Sequence, residues 1–170
     1  MSPLRDEIKQ RRPFRSRGQE GVLSLLRTAD QLKRDLACVV EPNGLTLQQF
    51  NVLRILRGAG TKGLPTLDIA ERMIEQAPGI TRLLDRLEKK ALVRRERCPK
   101  DRRRVLVAIT PGGLRLLAGL DGPVAEADDA LLARLGSRRA ITLIRLLDAV
   151  RNNPPPRRPD SLYSMKEKKA

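Results

Sequence analysis

The 170-residue chain has no histidine and no tryptophan. Without imidazole it lacks the usual general base near neutral pH and the commonest nitrogen ligand for a metal. Neither a Ser-His-Asp nor a Cys-His nucleophile can be assembled from it. Its two cysteines, Cys38 and Cys98, are too few for a disulfide framework or a zinc cage. Aromatic residues are 2% of the chain, namely Phe14, Phe50 and Tyr163, so the core must be aliphatic. There is no glycine-rich phosphate loop. No apolar run approaches the roughly 20 residues of a membrane span. The opening stretch MSPLRDEIKQRRPFRSRGQ has no apolar segment of the kind a secretory signal needs. These absences disfavour the familiar enzyme classes. They lead us to expect no catalytic residue, no cofactor, no metal and no membrane partner, in a protein of a reducing cytoplasm.

Positive charge is what the chain has in excess. Thirty-five Lys and Arg face 20 Asp and Glu, a formal charge of +15. Such a balance speaks to partners rather than to fold, and of the two obvious classes, nucleic acid and anionic membrane surfaces, the first is the one expected here. The charge is concentrated. Residues 75–104 hold eleven Lys/Arg against five Asp/Glu, and residues 1–18 hold six against two. Residues 1–18 read as a basic N-terminal arm. Residues 152–170, NNPPPRRPDSLYSMKEKKA, are proline-rich and polar and read as a disordered tail.

Between these ends the apolar pattern is mostly helical. Val22, Leu25, Leu26, Ala29, Leu32, Leu36, Val39 and Val40 share one stripe of a helix over 19–40, closed by Pro42-Asn43-Gly44. Thr46 and Gln49 have the spacing of a capping box, and Leu45 and Phe50 that of a hydrophobic staple, so a second helix runs to about Arg57. Thr66 reads as the N-cap of a short helix, Leu67 to Met73. After a break at Glu75-Gln76-Ala77, Pro78 opens a helix over 78–90, proline being well tolerated in the first turn. One face carries Ile80, Leu83, Leu84 and Leu87; the other carries Thr81, Arg82, Asp85, Arg86 and Lys89. Strands follow near 92–97 and 104–109, joined by a basic turn. Thr110-Pro111 begins a helix to about Leu135, which Gly119 and Asp121-Gly122-Pro123 are expected to bend or break. Ser137 caps a last helix to about Val150. The fold class is mainly α with one small hairpin.

Helix, break, helix, strand, basic turn, strand is the layout of a winged helix-turn-helix, which seats its second helix in the major groove of duplex DNA. The candidate DNA-binding residues are Gln76, Pro78, Gly79, Thr81, Arg82, Arg86, Lys100, Arg102 and Arg103. Arginine can bond guanine O6 and N7 together. Backbone N–H groups near Pro78 and Gly79 suit a phosphate. Arg102 and Arg103, at the hairpin tip, suit a narrow minor groove. Asp101 beside them is expected to fix the turn by pairing with Arg103, because phosphate repels a carboxylate. Cys98 has the cationic neighbours Arg97, Lys100 and Arg102, which favour a thiolate, and is the candidate redox position. Cys38 reads as a small core residue.

The segments TLDIAERM and PGITRLLDRLEKKALVRRERCPKDRRRVLVAITPGG resemble the MarR family of bacterial transcriptional regulators. The resemblance spans about residues 20–150. It implies a homodimer whose first and last two helices interlock, carrying two winged lobes on a palindromic operator. Many such proteins are repressors relieved by a small anionic aromatic effector or by thiol oxidation. The implied organisation is a helical dimerisation region from 19–44 and 111–151 around a DNA-binding lobe at 45–110. Two features depart from the pattern. Ala91 stands where glycine is usual after the recognition helix, so that helix is expected to end differently. Gly122-Pro123 interrupts the fifth helix. The rival readings are a nonspecific architectural nucleic-acid binder and a winged-helix module for protein partners.

Overall fold

The computed structural model describes residues 3–76, 79–97 and 105–152. It divides into two compact units, Met1–Leu131 and Leu132–Ala170.

The first unit opens with a short helix, α1 (Pro3–Glu7), inside the stretch read as a basic N-terminal arm. Leu4 is buried, and the Arg5 guanidinium donates to the carbonyls of Gln10 and Arg11. Glu7 reaches Arg27 on the next helix at 2.7 Å. That helix, α2 (Arg17–Val40), starts two residues before the sequence pattern because Ser16 caps it, accepting the Gln19 N–H. It ends in a 3₁₀ turn at Glu41–Asn43 and a left-handed Gly44 at φ 73°. Only Val40 of its apolar stripe is fully buried. Cys38 is exposed, which corrects its reading as a core residue: it lies beside the stripe and not under it.

Helix α3 (Leu47–Ala59) has the full capping box, with Thr46 Oγ1 accepting from Gln49 N–H and Gln49 Oε1 accepting from Thr46 N–H. Leu45 and Phe50 are both buried in the core. Gly60, at φ 69°, stops the helix. A two-residue strand, β1 (Leu64–Pro65), follows and leads directly into α4 (Thr66–Arg72). Thr66 is therefore the first residue of α4 and not its cap; Pro65 holds the cap position, with no side-chain bond. Helix α5 (Ile80–Lys89) packs with α3 and α4. Strands β2 (Val93–Arg97) and β3 (Val105–Ile109) pair antiparallel, Val93 opposite Ile109 through Arg97 opposite Val105. β1 adds to the other side of β3, so the sheet has three strands in the order β1-β3-β2, not the hairpin alone. Pro65 is tolerated because β1 is an edge strand.

Helix α6 (Pro111–Ala133) runs without interruption through Gly122 and Pro123, against the expected break. The clash that bars α-geometry before proline involves a Cβ, which Gly122 lacks. Leu117, Leu120 and Val124 are buried in the core on either side, and that packing holds the helix. In the second unit, α7 (Gly136–Asn152) opens on Gly136, which is left-handed at φ 68°. Ser137 falls inside α7 as its second residue, two residues later than a cap. None of the α7 residues is buried, and Ile141, Ile144, Leu146 and Val150 are exposed.

Candidate nucleic-acid interface

Helix α5 is amphipathic in the strict sense. Leu84 and Leu87 are fully buried and Leu83 nearly so, while Ile80 is half-buried against the same core. The opposite face leaves Thr81, Arg82, Arg86 and Lys89 exposed. Arg82 and Arg86 stand one turn apart, and Lys89 continues the row. The helix begins at Ile80, two residues after the expected Pro78, because Gly79 sits at φ 108°, ψ 28°, outside the helical region. Gly79 is the cap, and its carbonyl accepts the Leu83 N–H at 3.2 Å. Gln76 is exposed at the end of the bend after α4. Pro78, Cys98, Lys100, Asp101, Arg102 and Arg103 lie outside the described residues.

The exit of α5 is a left-handed cap on a residue with a side chain. Ala91 has φ 55°. Its N–H bonds the Glu88 carbonyl at 2.8 Å, and the Leu92 N–H bonds the Leu87 carbonyl at 3.0 Å. This is the paired arrangement of a Schellman motif. The expectation that alanine would force a different ending is corrected: two capping bonds and the burial of Leu87 hold the left-handed turn.

The Thr-Pro-x-Gly stretch joins this exit to α6. Thr110 Oγ1 accepts the Gly113 N–H at 3.1 Å and donates to the Ala91 carbonyl at 2.8 Å. The Thr110 N–H bonds the Leu92 carbonyl. Gly113 has to be glycine, since an added Cβ would run into the Leu92 carbonyl and come within 2.7 Å of Ile109 Cγ1. Gly63 has the same role at β1, with φ 65° and a Cβ position 2.6 Å from the Val107 carbonyl oxygen.

Strand β2 is tied to α5 by Arg95, which the sequence reading did not single out. Its guanidinium reaches Asp85 at 2.6 Å and Glu88 at 2.7 Å. Its N–H donates to the second oxygen of Glu88 at 3.2 Å. The available signal was strand alternation, which puts Arg95 on the face of buried Val93 but does not say which carboxylates it meets. The β2–β3 pair thus holds a fixed attitude to α5, with Arg97 and Val105 as its last paired residues.

A cavity of about 150 Å³ lies in the first unit, lined from α2, α3, α6 and the segment after α4. Leu36, Val40, Phe50, Met73 and Ile74 supply apolar lining, and Lys33 and Arg54 supply charge. Lys33 pairs with Glu75, and the Arg54 guanidinium sits 5.7 Å from the centre of the Phe50 ring. Among the described residues no helix is long and apolar enough to cross a membrane.

The model of the MarR family matches residues 45–105, the span from the start of α3 to the start of β3. The transcriptional regulator FarR of Neisseria gonorrhoeae is 30% identical over 135 residues, covering 79% of this chain and 91% of that relative. The crystal structure of a MarR transcription factor from Planctomyces limnophilus is 42% identical, covers 81% of this chain and 99% of its own, and superposes with a TM-score of 0.61. The repressor CouR, solved on a 23-mer DNA duplex, is 30% identical over 76% of this chain and 90% of its own, with a TM-score of 0.68. A winged lobe with an exposed cationic helix, matched over most of its length by these regulators, places the chain in the MarR family of DNA-binding transcriptional regulators.

Proposed function

We propose that the protein is a sequence-specific repressor that binds a palindromic operator as a homodimer and carries out no catalytic step. The observation that carries this reading is the outer face of α5, where Thr81, Arg82 and Arg86 stand free in a row above a buried leucine face. Helix α5 enters the major groove, with Arg82 and Arg86 on base edges and phosphates. Gln76, Pro78 and Gly79 lie along the adjacent backbone. Lys100, Arg102 and Arg103 form the minor-groove contact, and Asp101 shapes the turn that presents them. A second copy covers the apolar outer residues of α2 (Val22, Leu25, Leu26) and of α7 (Ile141, Ile144, Leu146, Val150).

The cavity beside Phe50 takes a small effector with an apolar body and an anionic group, the latter facing Lys33 and Arg54. Met73, Ile74 and Glu75 line it and precede α5 by a few residues, so occupancy acts on the approach to the reading helix.

Selection of bound duplexes from a random pool tests the proposal. An inverted repeat with half-sites about one helical turn apart is expected. Against the recovered site, Arg82→Ala and Arg86→Ala each cost about 1–3 kcal/mol where the arginine reads a base. Equal recovery of all sequences, or unchanged affinity in both variants, would overturn the reading.

A further inference from the structure

Helix α5 carries five charged side chains within ten residues: Arg82, Asp85, Arg86, Glu88 and Lys89. Asp85 lies three residues after Arg82 and four before Lys89. Those are the spacings at which oppositely charged side chains pair along a helix. Neither pair forms. Asp85 and Glu88 both turn to Arg95 on β2, at 2.6 and 2.7 Å, and Arg95 Nη2 also approaches the Thr81 carbonyl at 3.4 Å. With a side chain 27% exposed, Arg95 is the least exposed cation in any ion pair of the described residues. Arg82, Arg86 and Lys89 make no ion pair with any described residue.

We propose that Arg95 is a positioning residue for DNA reading: it is the internal counter-ion of α5, holding Asp85 and Glu88 neutralised so that Arg82 and Lys89 remain free for the duplex. The inference rests on the reading above that this face of α5 meets DNA. One planar guanidinium can serve two carboxylates at once, which a lysine ammonium does less well. Without it two uncovered carboxylates would stand beside a polyanion. Asp85 would also draw Arg82 and Lys89 back onto the helix. Arg95 touches no base in this account; it decides how many cations the helix can offer.

Binding to the selected duplex, titrated across salt concentration, tests this with the full chain. Arg95→Met should weaken binding about tenfold, and flatten the salt dependence by roughly one unit of slope for each phosphate contact withdrawn. The triple variant Arg95→Met/Asp85→Asn/Glu88→Gln should regain affinity to within about threefold of the parent, and its slope, although the tie to β2 is still missing. An arginine that contacts phosphate, or that only fastens the strand to the helix, gives no such rescue. A triple variant as weak as Arg95→Met therefore overturns the inference, as does an Arg95→Met protein that binds normally. Should Arg95→Met fail to unfold cooperatively, Arg95→Gln takes its place in both variants, keeping polar reach without charge. Arg82→Ala and Arg86→Ala are measured alongside. If both bind normally, the reading of the face falls and the inference with it. If they lose binding while the triple variant shows no rescue, the inference alone falls.

Discussion

Ala91 holds a left-handed conformation that glycine would adopt without strain. For a residue with a Cβ this costs about 1–2 kcal/mol. Glycine loses about 0.4–1 kcal/mol through its freer unfolded chain. We expect Ala91→Gly to stabilise the protein by about 0.5–1 kcal/mol, read as a higher urea midpoint at unchanged slope. Gly113→Ala acts the other way, since its methyl meets the Leu92 carbonyl and the Ile109 side chain; a loss of about 2 kcal/mol or more is expected in the same measurement. Both positions were visible in the sequence, one as an alanine in an unusual place and the other inside a Thr-Pro-x-Gly stretch. Their reasons were not visible. The alanine stays because two backbone bonds and a buried leucine outweigh its strain, and the glycine is needed because a carbonyl from another element lies where its Cβ would be. Arg95 was missed for a related reason: its role depends on carboxylates seven and ten residues away.

At the scale of elements, local signals served where they were satisfied locally. The capping box at Thr46, the glycine stops after α2 and α3, and the leucine face of α5 need only neighbours in the chain. The two-residue strand β1 was invisible because pairing with β3, some forty residues on, creates it. Helix α6 overrode its proline through core contacts. An interior proline is about 3 kcal/mol less favourable than alanine. After allowing for the freer unfolded chain, Pro123→Ala should raise stability by about 2 kcal/mol, seen as a higher thermal midpoint. The Arg57–Asp121 pair links α3 to α6 by two hydrogen bonds of 2.8 and 2.9 Å. The Arg57 guanidinium, chiefly through those bonds, holds the Asp121 carboxyl below the usual carboxylate range. A carboxylate with a lowered folded pKa contributes fully above its unfolded value of about 3.9, and that contribution is lost as pH falls through the folded value. Thermal midpoints of the parent and Asp121→Asn should therefore differ modestly at neutral pH and converge in acid.

At the scale of the molecule, composition spoke to partners and the apolar stripes to association. Excess charge fixed no element, yet it marked the span 75–104 that holds α5 and β2. The stripe of α2 was readable as a stripe; that half of it, Val22, Leu25, Leu26 and Ala29, is exposed emerges only once α3, α5 and α6 have filled the core with Val40 as its one fully buried contribution. Leu26, 62% exposed, is the sharpest instance. Leu26→Glu together with Ile144→Glu should shift sedimentation from dimer to monomer and leave the melting of the winged lobe intact. A variant pair that still sediments as a dimer would place the contact elsewhere.

Thr110 grips two neighbours with a single hydroxyl, the carbonyl just past α5 and the first turn of α6. In the proposed regulator a shift of α6 would reach the exit of α5 through this one side chain, like a key turned by its shank.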